Sequence, residues 1–410
     1  MSIKRRLIIA LAAAFAVRII LIVILGTYKH PVMWEYEDIV NNMLAGKGFL
    51  YNYLGAPYRS FNNPLYSFMC AGLYLLTNHS YFVILMVQSV FSILLALVIF
   101  NIARILFDEK TAFISAVLVA FHPAFVYYDV FNLVPLSIDS FLVASVVLFF
   151  LRFKARPTVL NISLVGALIG LGALTRGIIG SLMPFLIVYL IIFMKKITLK
   201  ERARMAVILS LATFIVIAPW IVRNYIVHKK FVFIISTTGE TFWRANNKYA
   251  VGTSLDKEGN SILKLWPEDF RKKVYGMDEL AQNKFLFNEA VKFIRANPRI
   301  FITSYLARVY YFWWFSPQSG IIYPRLYTVV YKCVYSVIFI FFIFGIITAL
   351  RSADEAVRDN TWLVIFILMA ICATQSLFYV EGRHRFIVEP LMMIFFAHGA
   401  MRAYNLLNSK

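Results

Sequence analysis

Cysteine is nearly absent. Three occur in 410 residues, Cys70, Cys333 and Cys372, each inside an apolar stretch. That excludes a disulfide framework and a cysteine-ligated metal. Charge is scarce too: charged residues make up 15% of the chain, with 21 acids against 41 Lys and Arg. There is no HExxH, no P-loop, no GxSxG elbow and no Rossmann glycine fingerprint. A zinc hydrolase or a nucleotide-using site therefore has no support in the sequence. Internal repeats and low-complexity tracts are missing as well.

Apolar residues fill the space. They make up 61% of the chain, in runs of about twenty, the length a membrane helix needs. The predicted fold class is an all-α polytopic membrane protein, with residues 1–410 as a single transmembrane domain. The net charge of +20 does not point to nucleic acid. Most basic residues sit at the ends of apolar runs, where they orient helices against anionic membrane lipid. A surplus on outer loops would suit an anionic, phosphate-bearing substrate. The N-terminal MSIKRR and the run 7–27 look like a signal peptide. The run is too long for one, contains Arg18, and has no small-residue cleavage site after it, so it reads as a retained helix.

The positive-inside rule orders the rest. Lys4, Arg5 and Arg6 put the N-terminus in the cytoplasm. About ten spans follow, near 7–27, 81–105, 111–128, 134–153, 158–175, 178–195, 204–224, 325–349, 359–379 and 386–404. The protein is thus predicted to be integral to the cytoplasmic membrane. Two external regions remain: a first loop at 28–80 and a cap at 225–320. In the first loop, Tyr36, Ile39, Val40, Met43 and Leu44 recur at helical spacing, predicting a helix over 36–46 that Gly46 and Gly48 end. In the cap, 279–297 reads as a helix stopping at Asn297-Pro298. The short apolar pieces 64–77 and 301–316 follow prolines and read as amphipathic helices on the external face.

The polar chemistry gathers outside. Glu35, Glu37 and Asp38 lie just past the first span, where a carboxylate is costly unless solvated or used. First-turn position excuses Glu37 and Asp38, since acids favour a helix N-terminus. Glu35 precedes the predicted helix, and glutamate is a poor N-cap. Beside apolar surface it has the makings of a general base, because burial raises a carboxyl toward working pH. On the same side stand Arg59, Arg176, Arg223 and the turn Glu381-Gly382-Arg383-His384-Arg385. Arginine's fork suits phosphate. Snorkelling explains any one of these arginines, but less readily three basic groups in a row on an external turn. Arg18, mid-span, is predicted to face the bundle interior against a carboxylate or carbonyl. His122-Pro123 ends a span, where histidine is more often structural than catalytic.

Taken in order, these segments resemble the GT-C glycosyltransferases, in the branch of protein O-mannosyltransferases and lipid A aminoarabinose transferases. The segments are WEYEDIVNNMLAGKGFLY with YRSFNNPLY after it, Ala120-Phe121-His122-Pro123, Leu174-Thr175-Arg176, APWIVRNY at 218–225, GETFWRANN at 239–247, and EGRHRF with Pro390. Relatives often carry a Thr-Glu after the third span, whereas the matching stretch here, Asn132–Pro135, has no acid. The resemblance implies the GT-C fold and transfer of a sugar from a polyprenyl-phosphate donor to a glycan, lipid or protein acceptor, with no cofactor. It implies inversion and a first-loop acid as base, best matched by Glu35, with Glu37 and Asp38 as alternatives. Donor phosphate and substrate binding would fall to Arg59, His122, Arg176, Arg223, Asn246, Glu381, Arg383, His384 and Arg385. No metal is required, since arginines can supply the positive charge. Two other readings stand beside this one: a flippase or transporter of a lipid-linked anion, and a non-catalytic relative.

Overall fold

The computed structural model describes residues 1–318 and 325–408. Most of it is helical, with one two-stranded hairpin and irregular connections among the described residues. From the N-terminus come α1 (Ile3–Ile24) and α2 (Glu35–Leu44), the hairpin β1 (Tyr51–Tyr53) and β2 (Ala56–Tyr58), then α3 (Pro64–Thr77) and α4 (Tyr81–Leu106). The next are α5 (Glu109–Ala120), α6 (Pro123–Phe131), α7 (Leu136–Ala155), α8 (Val159–Thr175), α9 (Gly177–Gly180), α10 (Leu182–Phe193) and α11 (Leu199–His228). The cap holds α12 (Thr238–Ala245), α13 (Glu268–Tyr275), α14 (Glu279–Ala296) and α15 (Pro298–Trp313). The chain closes with α16 (Arg325–Leu350), α17 (Glu355–Gln375) and α18 (Glu389–Asn408). The last two residues predicted for the cap, 319 and 320, lie outside the described residues.

Helices occupy all ten predicted span positions. Among the described residues, seven segments are long and apolar enough to cross a membrane. The segments 159–175 and 177–193 are apolar but shorter. Caps set the helix starts: Asp108 accepts from the backbone N–H of Lys110 and Thr111, and Asp278 from that of Ala281. Without a water-driven force between helices in lipid, close backbone approach does the packing. The α8–α11 contact runs through Gly166 and Gly170, whose added Cβ would meet the Leu209 and Thr213 carbonyls at 2.5 and 2.8 Å. In the α16–α18 contact, a Cβ on Gly345 would overlap the Phe395 carbonyl.

Three local readings change. The first-loop helix begins at Glu35, not Tyr36, with Trp34 as its N-cap. Glu35 therefore shares the first turn with Glu37 and Asp38, and the helix dipole excuses it equally. His122 does not end a span. It sits at a kink, because Pro123 opens α6 and the rod runs on to Phe131. Pieces 64–77 and 301–316 are helices as predicted, the second starting earlier, at Pro298.

Arg18 has the partners a charge in an apolar helix requires. It is fully buried; its Nε donates to Asp129 at 2.9 Å, and Nη1 donates to the Ala120 and Ala14 carbonyls at 2.7 and 3.1 Å. Cys70 and Cys372 are buried and Cys333 is exposed, all as free thiols.

Candidate active site

Where the first loop meets the bundle, the chain makes a short parallel bridge. Val32 N–H donates to the Phe131 carbonyl at 2.7 Å, and Leu133 N–H to the Val32 carbonyl at 3.1 Å. This brings Trp34 and Glu35 beside Val134–Leu136, at the start of α7. Behind them runs a strap, residues 58–63. The cap carboxylate Glu279 accepts Arg59 N–H at 2.9 Å, and Ser60 Oγ donates to Asn224 at 2.9 Å. Asn62 Nδ2 then donates to Glu35 Oε1 at 3.0 Å, and Asn63 Nδ2 to the Ala173 carbonyl at 2.6 Å. One strap thus fixes both the Glu35 carboxylate and the end of α8, which carries Thr175 and Arg176.

Those groups line a cavity of about 500 Å³. Its lining includes Trp34, Glu35, Tyr36, Asn62 and Arg176 together with Thr237, Thr238, Thr241, Gln375, Tyr379, Arg383 and His384. Arg176 Nε donates to Asp139 Oδ2 at 2.7 Å, and Asp139 is fully buried. Arg383 pairs with Glu381 at 3.0 Å and lies over the Trp34 ring, 4.3 Å from its centroid. His384 Nδ1 accepts the Glu381 backbone N–H at 3.1 Å, which puts the proton of a neutral ring on Nε2. Burial first, then the Arg383 and Arg176 charges, hold His384 well below the ordinary imidazole range. Burial, joined by the Glu35 and Asp139 carboxylates, pushes the Tyr36 phenol up, so it stays a hydrogen-bond donor.

The three first-loop acids separate. Glu35 lines the cavity. Glu37 is buried in a polar ring, accepting from Tyr74 Oη at 2.7 Å and Tyr81 Oη at 3.3 Å, with His79 Nε2 at 2.9 Å. Asp38 is exposed and does not line the cavity.

The basic candidates separate too. Arg385 turns inward: its Nε donates to Glu389 at 2.6 Å and its guanidinium lies 3.7 Å from the Tyr335 ring. His122 joins that buried group, with Nε2 3.2 Å from Glu389. Arg223 is spent on the strap, donating to the Arg59 carbonyl at 2.6 Å and lying over Trp220. The Arg59 side chain is exposed. Asn246 donates to the Phe242 and Leu377 carbonyls at 2.9 and 3.2 Å, and its Oδ1 accepts from buried Arg308 at 3.2 Å. These residues buttress the site without lining it.

Sequence reasoning passed over Asp139 and Asn62. Asp139 lies one turn beyond Pro135, so an acid does reach this region, from inside the helix. The signal was present: an aspartate in the apolar run of α7 needs a cation. Among the described residues no three His, Cys, Asp or Glu side chains gather as metal ligands.

Comparison with known proteins agrees with this architecture. Residues 61–222 match the model of the dolichyl-phosphate-mannose-protein mannosyltransferase family. No curated protein matches the sequence. In structure the chain is similar to an oligosaccharyltransferase from Archaeoglobus fulgidus, solved with Zn and sulfate (TM-score 0.58, 12% identity), over 96% of this chain and 49% of that one. It is similar to AglB from the same organism, solved with an inhibitory peptide and a dolichol-phosphate (TM-score 0.56, 12% identity), over 97% and 50%. It is also similar to ArnT from Cupriavidus metallidurans bound to undecaprenyl phosphate (TM-score 0.58, 14% identity), over 98% and 61%. The chain spans about half the length of the archaeal proteins. It is a membrane protein built on the GT-C fold, and its residues 61–222 match the dolichyl-phosphate-mannose-protein mannosyltransferase family.

Proposed function

We propose that the protein is a membrane glycosyltransferase that moves a sugar from a polyprenyl-phosphate carrier to an acceptor hydroxyl, with inversion. The observation that carries this is convergence. Glu35, Arg176, Arg383 and His384, scattered across the chain, line one cavity. The carboxylate can take a proton, the arginines can hold a phosphate, and the surrounding threonines, amides and aromatic rings suit a sugar. The family matched by residues 61–222, and the lipid phosphates bound by two of the similar structures, support the donor class.

In this reading the first loop (28–80) brings the base and the cap (225–320) covers the donor. Glu35 removes the acceptor proton as the hydroxyl oxygen bonds the anomeric carbon. The bond from that carbon to the phosphate oxygen breaks, and the lipid phosphate leaves with the electron pair. Arg383 and Arg176 stabilise the charge that develops there. Asp139 and Glu381 hold the two guanidiniums in place, so little reorganisation accompanies the step. No step is routed through a metal. In this reading the cavity opens on the outside of the cytoplasmic membrane, where lipid carriers replace nucleotide donors.

Purified protein in proteoliposomes, given radiolabelled polyprenyl-phosphate sugars, tests the proposal. Covalent transfer of label to an acceptor or to water is the expected result. A change in the donor's sidedness without cleavage would mean a flippase, and neither change would mean a non-catalytic relative.

A further inference from the structure

The outer face of the cap is cationic. Between residues 229 and 299, twelve Lys and Arg side chains are exposed, against four Asp and Glu. The imbalance arises because three of the other four acids turn inward. Glu240 pairs with Arg244 and accepts from Tyr53 Oη at 3.0 Å. Glu279 holds the strap and accepts from Ser236 Oγ at 2.6 Å. Asp256 accepts the backbone N–H groups of Glu258 and Asn260 at 2.9 and 2.8 Å.

The cations are also sorted by direction. On α14, Glu279, Gln282, Leu286 and Ala290 are buried, and the helix packs on α12 and β2. At 3.6 residues per turn, Lys284, Asn288, Lys292 and Arg295 fall on the opposite side. All four are exposed, and the one carboxylate beside them is the half-buried Glu289. Next to them, α13 adds Arg271, Lys272 and Lys273; Lys273 Nζ lies 4.8 Å from the ring centre of Phe285 on α14. Lys272 and Lys292 make ion pairs with Glu268 and Glu289, each at 2.7 Å. Exposed pairs of this kind hold their partners weakly. Because α12 lines the cavity and α14 packs behind it, this face looks away from the bundle.

We propose that this face gathers a polyanionic acceptor, a glycan polymer bearing phosphate or carboxylate groups, and delivers its hydroxyls to the cavity. The role as acceptor rests on the transfer reading above; the docking does not. Clustered cations raise the local concentration of a polyanion and speed its capture.

Fluorescence anisotropy with labelled polyphosphate, on the full chain in zwitterionic-lipid nanodiscs, tests the docking. The expected result is binding that weakens with added salt and falls at least tenfold in the triple variant Lys273→Glu, Lys284→Glu, Arg295→Glu. Neutral dextran should not bind. With an anionic glycan acceptor, the same variant should raise KM and leave kcat unchanged. Equal polyphosphate binding by the variant overturns the proposal. So does dextran binding as tight as polyphosphate, or a variant that loses affinity for anionic vesicles but not for polyphosphate. Since binding is read without turnover, intact polyphosphate binding with no sugar transfer would overturn the transfer reading alone.

Discussion

Two glutamates two positions apart in α2 have different surroundings. Asn62 engages one oxygen of Glu35 at the cavity wall, whereas Tyr74, His79 and Tyr81 ring Glu37. On the proposed mechanism, Glu35→Gln removes the base and lowers kcat by about 10²–10⁴-fold, the usual worth of a placed general base. Glu37→Gln should instead show itself as a lower melting temperature, with kcat changed much less. Arg18 and Asp129 give a separate test. Arg18→Leu leaves a buried carboxylate without its cation and should cost about 3–5 kcal/mol. The double change Arg18→Leu, Asp129→Leu should recover most of that in a denaturation cycle. At this scale the sequence was legible where a charge broke an apolar run, as at Arg18. The same test, applied to Asp129 and Asp139, would have found the other half of each ion pair. The split between Glu35 and Glu37 was not legible, because it depends on Asn62 and Tyr74 arriving from elsewhere in the chain.

Helix positions followed from run length and basic flanks, since both report the bilayer's thickness and charge asymmetry. Helix starts did not follow as well. The first turn of α2 closes through Glu37 N–H on the Trp34 carbonyl at 2.9 Å, two residues after the long-range bridge of Val32 to Leu133. The kink at His122 depends on α6 continuing past Pro123 to pack in the bundle. Close packing gives a testable contrast at this scale. Gly345→Leu drives a side chain into the α18 backbone and should cost more than the about 1–3 kcal/mol usual for overpacking. Gly72→Ala, in α3 with open space around it, should stabilise by about 0.5–1 kcal/mol. Thermal unfolding in detergent compares the two. The turn at 381–385 carries a pH dependence. His384 titrates well below its unfolded value of about 6.5, so the unfolded chain takes up a proton that the folded chain refuses. Its contribution is complete above about pH 6.5 and is lost as pH falls. Melting temperature should therefore drop on acidification below about pH 6.5, and His384→Asn should flatten the drop.

Across the whole molecule, the bundle, first loop and cap are tied by buried polar contacts. The Glu279 bonds to the strap, the Arg308 bonds to the Ser376 and Ala245 carbonyls at 2.7 and 2.6 Å, and the Ser254 bond to Glu381 all cross region boundaries. Such contacts explain why the site was only partly legible. Motif order named Arg176, Arg383 and His384, all of which reach the cavity. It equally named Arg223, Asn246 and Arg385, which hold the scaffold around it. Residue type and order cannot separate lining from buttress, since both need a polar group at the same end of the bundle. The central claim is that the cavity transfers a sugar using Glu35 as base. The most direct measurement is turnover of a polyprenyl-phosphate sugar in proteoliposomes by wild type, Glu35→Gln and Glu37→Gln, each shown to be folded by its melting curve. The account predicts transfer by the wild type, near-complete loss in Glu35→Gln and substantial retention in Glu37→Gln. Near-normal turnover by Glu35→Gln would contradict it.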